Sequence, residues 1–354
     1  MGYSLIRALC PIRHTRSKGD TMESLKCTVS GSLRRATWVL FLWAILLSPL
    51  GAAAADKTPG LQLRSMTFNV RYGTANDGPD HWENRRHLVF DRIRQSHADV
   101  IGLQEALHFQ IRQILDAVEG YASIGVGRDD GAYRGEFSNI LYRTDRFRPD
   151  ACGTFWLSDT PTVPGSKSWG NTITRICTWA RLVEKDSGRA FYMFNVHLDH
   201  QSQPSREKSA ALIARRIADR AHPNEPILLT GDFNAGEQNP AILYLKGKGP
   251  DPDGEMTPVT LVDSYRVLHP NAETVGTFNG FKGRTDGDKI DYVFVQPKTQ
   301  VIDAEIDRTN EDGRYPSDHF PVTVTVMLKI GASSASDLRT ASSPGKNARN
   351  ARAN

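Results

Sequence analysis

Short apolar runs that stop at a polar or charged residue recur along the chain, and this pattern restricts the possible folds more than any other feature. Thr67-Phe68 runs into Asn69, and Val100-Ile101-Gly102-Leu103 runs into Gln104-Glu105. Phe191 to Val196 carries Asn195 and ends at His197, while Ile227-Leu228-Leu229-Thr230 delivers Gly231-Asp232-Phe233-Asn234. Asp291 heads Tyr292-Val293-Phe294-Val295, and Asp318-His319 stands before Phe320-Pro321-Val322. Runs of this length, rich in β-branched and aromatic residues, read as strands. Further strands are predicted over 137–143, 147–157, 175–184 and 301–307, and helical spacing predicts helices over 83–96, 107–118 and 210–221. So many strands with so few intervening helices do not suit a sheet built only of βαβ units; two mixed sheets packed face to face with helices outside do.

The chain has 354 residues, of which 39% are apolar and 24% charged, which excludes a wholly disordered, collagen-like or multi-span membrane protein. Four cysteines are too few for a disulfide-built scaffold. In residues 1–55, Arg34-Arg35 precedes the apolar run 38–47, then Pro49, Gly51 and Ala52 to Ala55. That N-terminal extension reads as a secretory signal peptide, so a secreted or periplasmic location is expected, with no stable membrane span after cleavage. Residues 331–354 are nearly free of apolar side chains and are expected to form a disordered tail. Residues 56–330 are left as one domain, expected to be a monomer.

Charge is distributed unevenly. Residues 1–55 hold seven Lys+Arg against two Asp+Glu and residues 331–354 four against one, so a chain of net charge +4 leaves −4 on residues 56–330. The domain lacks the basic balance on which duplex-wrapping nucleases depend.

Each strand-end polar residue alone is a weak signal, since an Asp-Phe-Asn turn is commonly just a capped turn. Together they supply oxygen donors for a hard cation and two histidines for a phosphoryl group, all on loops that a sheet would hold in place. In order, Thr67-Phe68-Asn69-Val70-Arg71, Ile101-Gly102-Leu103-Gln104-Glu105, Asn195-Val196-His197-Leu198-Asp199-His200, Gly231-Asp232-Phe233-Asn234, Lys289-Ile290-Asp291-Tyr292-Val293-Phe294 and Tyr315-Pro316-Ser317-Asp318-His319-Phe320-Pro321-Val322 resemble the motifs of the endonuclease/exonuclease/phosphatase superfamily.

The resemblance implies a deoxyribonuclease I-like, four-layer α/β sandwich of two packed mixed sheets flanked by helices. It implies a Mg²⁺ (or Mn²⁺) ion held by Glu105 with Asn69 and Asp318, and an attacking water oriented or deprotonated by Asp232 and held by Asn234. It also implies phosphoryl oxygens stabilised by His319, which Asp291 orients, with His197 as a second phosphate-contacting histidine. Similarity to a secreted bacterial branch near the deadenylase-like members places Arg175 and His200 in the cleft as substrate-binding residues, with Arg181, Asp199 and Arg206 as further candidates of the same tier. Trp169, Tyr133 and Phe278 are candidates to stack on a base or sugar. The expected activity is metal-dependent hydrolysis of a phosphodiester, nucleic acid included. An inositol, sugar or lipid-headgroup phosphoesterase is the alternative, and a binding protein without catalysis is a third reading, opposed by the presence of Glu105, Asp232 and His319. Cys152 and Cys177 fall on predicted neighbouring strands, where export would permit a disulfide.

Overall fold

The computed structural model describes residues 60–329; the expected signal segment and C-terminal tail lie outside the described residues. Two six-stranded mixed sheets form its centre. The first has the order β11-β12-β1-β2-β4-β3, from β1 (Leu61–Asn69), β2 (Val100–Gln104), β3 (Tyr121–Ile124), β4 (Ile140–Arg143), β11 (Gln300–Ile306) and β12 (Val322–Leu328). The second has the order β5-β6-β7-β8-β10-β9, from β5 (Phe147–Trp156), β6 (Ile176–Glu184), β7 (Ala190–His197), β8 (Ile227–Asp232), β9 (Val262–Asp263) and β10 (Asp291–Val295). Helices α1 (Trp82–Ser96) and α2 (His108–Ala117) supply Val89, Ile93, Ile111 and Ile114 to a core with Met66, Phe68, Ile101 and Leu103, while α3 (Gln203–Ala218) and α4 (Pro240–Leu245) pack with Tyr192, Phe194, Leu229 and Phe294. A fifth helix, α5 (Ser264–Leu268), is a short connection. The four-layer sandwich is therefore the observed architecture.

Strand periodicity explains where the site forms. Alternate residues of a strand face one side of its sheet, and on β1 the inward set reads Leu61, Leu63, Ser65, Thr67, Asn69. The inward set of β2 is Val100, Gly102, Gln104; of β7, Phe191, Met193, Asn195, His197; and of β8, Leu228, Thr230, Asp232. All four change from apolar to polar in the same direction. The layer between the sheets is thus oily at one end, where Leu63, Val100, Phe191, Met193 and Leu228 share a cluster, and hydrogen-bonded at the other.

Asn195 is the centre of that polar end. Its Oδ1 accepts from Gln104 Nε2 at 2.7 Å and Thr230 Oγ1 at 3.0 Å, and its Nδ2 donates to the carbonyls of Leu103 (2.8 Å) and Asn139 (2.9 Å). It therefore ties one sheet to the other and is no part of the cleft. Gly102 makes room for it: a Cβ there would stand 2.3 Å from Thr230 Oγ1 and 2.4 Å from Asn195 Oδ1.

Several boundaries differ from expectation. Helix α3 begins at Gln203, seven residues before the expected start, because Ser202 Oγ accepts from Ser205 N at 3.2 Å and Pro204 suits a first turn. Strand β3, a half-exposed edge, and the short α4, α5 and β9 had no periodic signal to reveal them. The Cys152–Cys177 disulfide that export would permit is not formed. The two lie on paired strands, but Cys152 stands opposite Ala180 while Cys177 stands opposite Phe155, so an odd offset of three residues puts them on opposite faces of the sheet. Cys177 is free and fully buried.

Candidate active site

The register of the second sheet assembles three of the expected residues. His197 pairs with Asp232 between β7 and β8, and Asp232 pairs with Asp291 between β8 and β10. Paired residues project to the same face, so the three form a row across three strands. His319 meets this row from the segment preceding β12. Its Nδ1 donates to Asp291 Oδ2 at 2.9 Å and its Nε2 lies 3.8 Å from Asp232 Oδ2. Phe278 forms a bridge with His319 and sets its ring edge-on at 5.2 Å, so the imidazole is held by a carboxylate and by an aromatic wall.

The first sheet contributes Asn69, the last residue of β1, and Glu105, the first after β2. The chain turns sharply at these strand ends: Arg71, Glu105 and Asn234 have φ of 55°, 61° and 47°. Left-handed backbone at non-glycine residues persists where surrounding contacts hold it, commonly at functional sites. Asn69 Nδ2 donates to Glu105 Oε1 and to Asp232 Oδ2, each at 3.0 Å, and so joins a carboxylate from each sheet. Its Oδ1 accepts from Arg71 N at 2.9 Å, while Glu105 Oε2 accepts from Tyr72 N at 3.1 Å. Asn234 N donates to Asp232 Oδ1 at 2.9 Å, and Asn234 Nδ2 lies 3.0 Å from His197 Nε2. An amide nitrogen can only donate, so His197 Nε2 is the acceptor and its ring proton sits on Nδ1.

Burial and crowded carboxylates set the protonation states. Asp232 is pushed up to about 7 by burial and by the neighbouring Asp291, with His319 acting against the rise. Burial alone would lower His319, but Asp291 and Asp232 overcome it and raise the imidazole well above its ordinary value. At neutral pH it is a cation. Burial, reinforced by Arg175 and Arg128, holds His197 well below its ordinary value and keeps it neutral. Asp318 is raised by burial and by Glu105, though His319 and Arg71 oppose the shift.

Glu105, His197, Asp232, Asn234, Asp318 and His319 line one cleft of about 600 Å³, together with Arg175, His200 and Phe278, while Asn69 and Asp291 stand behind it, bonded to residues that do. Arg175 Nη2 lies 2.9 Å from His200 Nδ1, and Arg175 Nε donates to Asp199 Oδ2 at 3.4 Å. Arg206 donates to the Asp199 carbonyl, whereas Arg181 pairs with Glu225 and Asp150 and does not line the cleft. Tyr133 lies tilted against His108, Trp169 donates to Asp159, and neither lines the cleft. The sequence reading missed Arg128 and Glu136, which do. Arg128 Nη1 donates to Glu136 Oε2 at 2.6 Å, and the same oxygen lies 3.8 Å from His197 Nδ1. Both sit in a glycine-rich charged segment, where no local pattern distinguishes a cleft residue from a solvated one.

The donor chemistry suits a hard cation. Glu105, His197 and Asp232 offer ligand atoms within 4.8 Å of one another, as do Asp232, Asp291 and His319. Several acids gathered in a mostly buried space repel one another unless protons or a cation compensate them, and the upward shifts at Asp232 and Asp318, set first by burial, carry a further contribution from the neighbouring Asp291 and Glu105.

Comparison with known proteins agrees with the geometry. The Endonuclease/Exonuclease/phosphatase family model matches residues 66–319. A solved family protein from Bacteroides thetaiotaomicron is 33% identical with a TM-score of 0.68, covering 76% of this chain and 96% of that one. The mannosyl-6-phosphatase of the same organism is 33% identical with a TM-score of 0.65, covering 75% and 99%. Nocturnin of Drosophila melanogaster is 27% identical over 335 residues, which is 81% of this chain and 50% of that protein, so the chain spans half the length of this relative. No helix among the described residues is long and apolar enough to cross a membrane. With the six strand-end motifs on one cleft and the family match running from Met66 to His319, the chain belongs to the endonuclease/exonuclease/phosphatase family.

Proposed function

We propose that this protein is an exported, divalent-metal-dependent phosphoesterase whose substrate is a small phosphorylated compound of the sugar phosphate class. The observation that carries the chemistry is the His197–Asp232–Asp291 row with His319 bonded to Asp291, opposite Glu105 and Asp318 in the same cleft. Glu105 and Asp318 would hold the Mg²⁺ or Mn²⁺ ion, which when bound neutralises charge on the phosphoryl group and the leaving oxygen; Asn69, expected as a third ligand, already accepts from Arg71 N through its Oδ1. Asn69 fixes Glu105 and Asp232 through its two Nδ2 hydrogen bonds.

Asp232 orients the attacking water and takes its proton, a task suited to a carboxylate whose pKa lies near neutrality. Asn234 pins Asp232 through its backbone N–H. The His319 imidazolium donates from Nε2 to a phosphoryl oxygen, since its Nδ1–H is already committed to Asp291. His197 stays neutral and presents an Nδ1–H, and Arg175 with His200 contacts the substrate on the neighbouring wall.

The size of the cleft matches small-molecule sites. Its wall carries Phe278, half exposed, whose ring face suits a sugar, and beside it Arg284 is paired with Asp286 while Asp288 adds a negative charge. The 33% identity to a mannosyl-6-phosphatase supports the same class. The phosphodiester expected from sequence is the second reading, favoured by the likeness to nocturnin. Hydrolysis of mannose 6-phosphate, bis-p-nitrophenyl phosphate and single-stranded oligonucleotides, each with Mg²⁺, Mn²⁺ or EDTA, tests both. Metal-dependent turnover with the highest kcat/KM on the sugar phosphate is expected; turnover undiminished in EDTA defeats the metal assignment, and preference for oligonucleotides defeats the substrate class. A mature N-terminus near Asp56, measured by mass spectrometry, tests the proposed signal cleavage.

A further inference from the structure

Arg85 stands apart from every residue considered so far. It projects from α1, is 1% exposed, and forms no ion pair among the described residues. Its guanidinium spends its donors on backbone carbonyls instead. Nη1 donates to Val70 O at 2.9 Å and Pro316 O at 2.7 Å, Nε to Asp80 O at 2.8 Å, and Nη2 to Arg71 O at 3.2 Å. The rings of Trp82 and Phe281 each lie 5.3 Å from its centre. A fully buried cation with no bonded carboxylate is a costly arrangement, and a role limited to filling core space would be served better by an apolar side chain.

Its acceptors show what it connects. Val70 and Arg71 directly follow Asn69 and precede Tyr72, whose N–H holds Glu105. Pro316 precedes Ser317 and Asp318. Ser317 makes a second tie between the same segments, its Oγ donating to Asn69 O at 2.7 Å and lying 3.2 Å from Asp318 Oδ1. These two segments are separated by almost the whole domain in sequence. One ends in a strained turn, with Arg71 at φ 55°.

We propose that Arg85 is a positioning residue for the cation site: its guanidinium clamps the turn that orients Glu105 to the loop that presents Asp318. A planar fork with five donors can satisfy four carbonyls from three segments at once, which the compact ammonium of lysine cannot. Groups that orient metal ligands commonly change metal affinity by about 10- to 100-fold when altered. The inference rests on the metal assignment made above.

The test is titration calorimetry of Mn²⁺ and Mg²⁺ into the full chain and into Arg85→Lys, Arg85→Met and Ser317→Ala, with circular dichroism melts on each. Arg85→Lys is expected to stay folded and bind Mn²⁺ about 10-fold or more weakly, with activity recovered by raising the metal concentration. Ser317→Ala is expected to weaken binding by a smaller factor and decides the matter if both Arg85 variants fail to fold. A folded Arg85→Lys with the parent's affinity, or in its absence a folded Ser317→Ala with the parent's affinity, overturns the clamp. An unaltered chain that binds neither cation overturns the metal assignment itself, and the clamp with it.

Discussion

Replacing Asp291 by Asn removes one charge without changing shape, and the consequences follow from two neighbours. The Asp291 carboxylate accepts from His319 Nδ1 at 2.9 Å inside the protein, and its other oxygen, Oδ1, has no hydrogen-bond partner among the described residues. An Asn amide that keeps the His319 bond must put its NH₂ where Oδ1 now lies, leaving a buried donor unsatisfied at about 1–3 kcal/mol. A hydrogen bond to a charged group contributes about 1.5–3 kcal/mol, and each pKa unit corresponds to about 1.4 kcal/mol, so His319 should lose about one to two units.

Asp232 also moves down, because Asp291 is the charge that helps push it up. If activity requires Asp232 ionised and His319 protonated, both limbs of the pH profile shift toward acid, the alkaline limb by about one to two units. The expected loss in kcat/KM at neutral pH is about 100-fold or more, the scale of acid–base assistance by a positioned side chain. The sign for stability follows from the raised His319 pKa: the stabilisation is fully present below the unfolded value of about 6.5 and is lost as the pH rises through the folded value. The gap in melting temperature between parent and Asp291→Asn should therefore be widest at mildly acidic pH and narrow above it. Profiles of kcat/KM against pH with saturating Mg²⁺, paired with melts at the same pH values, measure both. An unmoved alkaline limb with near-parental activity would refute the assignment of His319 as an imidazolium held by Asp291.

Glu105→Gln should abolish the rise in melting temperature on adding Mg²⁺ and lower kcat by about 100-fold or more, and the metal-free protein should melt below the parent, because an amide can accept only one of the two hydrogen bonds from Asn69 Nδ2 and Tyr72 N; scanning calorimetry with and without EDTA checks this. Gly102→Ala forces a Cβ to within 2.4 Å of two side-chain oxygens between the sheets and should cost about 1–3 kcal/mol in urea unfolding, with the cleft's chemistry lost in proportion. Cys177, whose thiol is pushed up strongly by complete burial, should not react with a thiol reagent until the protein is unfolded; fast labelling of the native protein would contradict its placement. Turnover of the small substrate should depend far less on salt than duplex-nuclease turnover does, as expected of a domain with net charge −4.

Asn69, Glu105, His197, Asp232, Asn234, Asp291, Asp318 and His319 could be picked out from sequence because each stands beside a strand whose alternation is local and visible. Their convergence in and around one cleft follows from parallel and antiparallel pairing of those strands, and the core beneath them was legible for the same reason. Residues acting through distant contacts were not. Glu136 and Arg128 reach the cleft from a loop with no period, and Arg85 reads in sequence as one more charged residue on a helix.

By itself, then, the sequence determined the layer architecture, the polar end of each strand and the family, because apolar periodicity and motif order are properties of neighbouring residues. The tertiary structure alone decided partnership. It placed Asn195 between the sheets and separated Cys152 from Cys177 by an odd offset in register. It also paired His319 with Asp291, and it put a buried guanidinium under two segments that meet only when β1 pairs with β12. Each of these depends on register and on contacts between residues far apart in the chain, which no local pattern encodes.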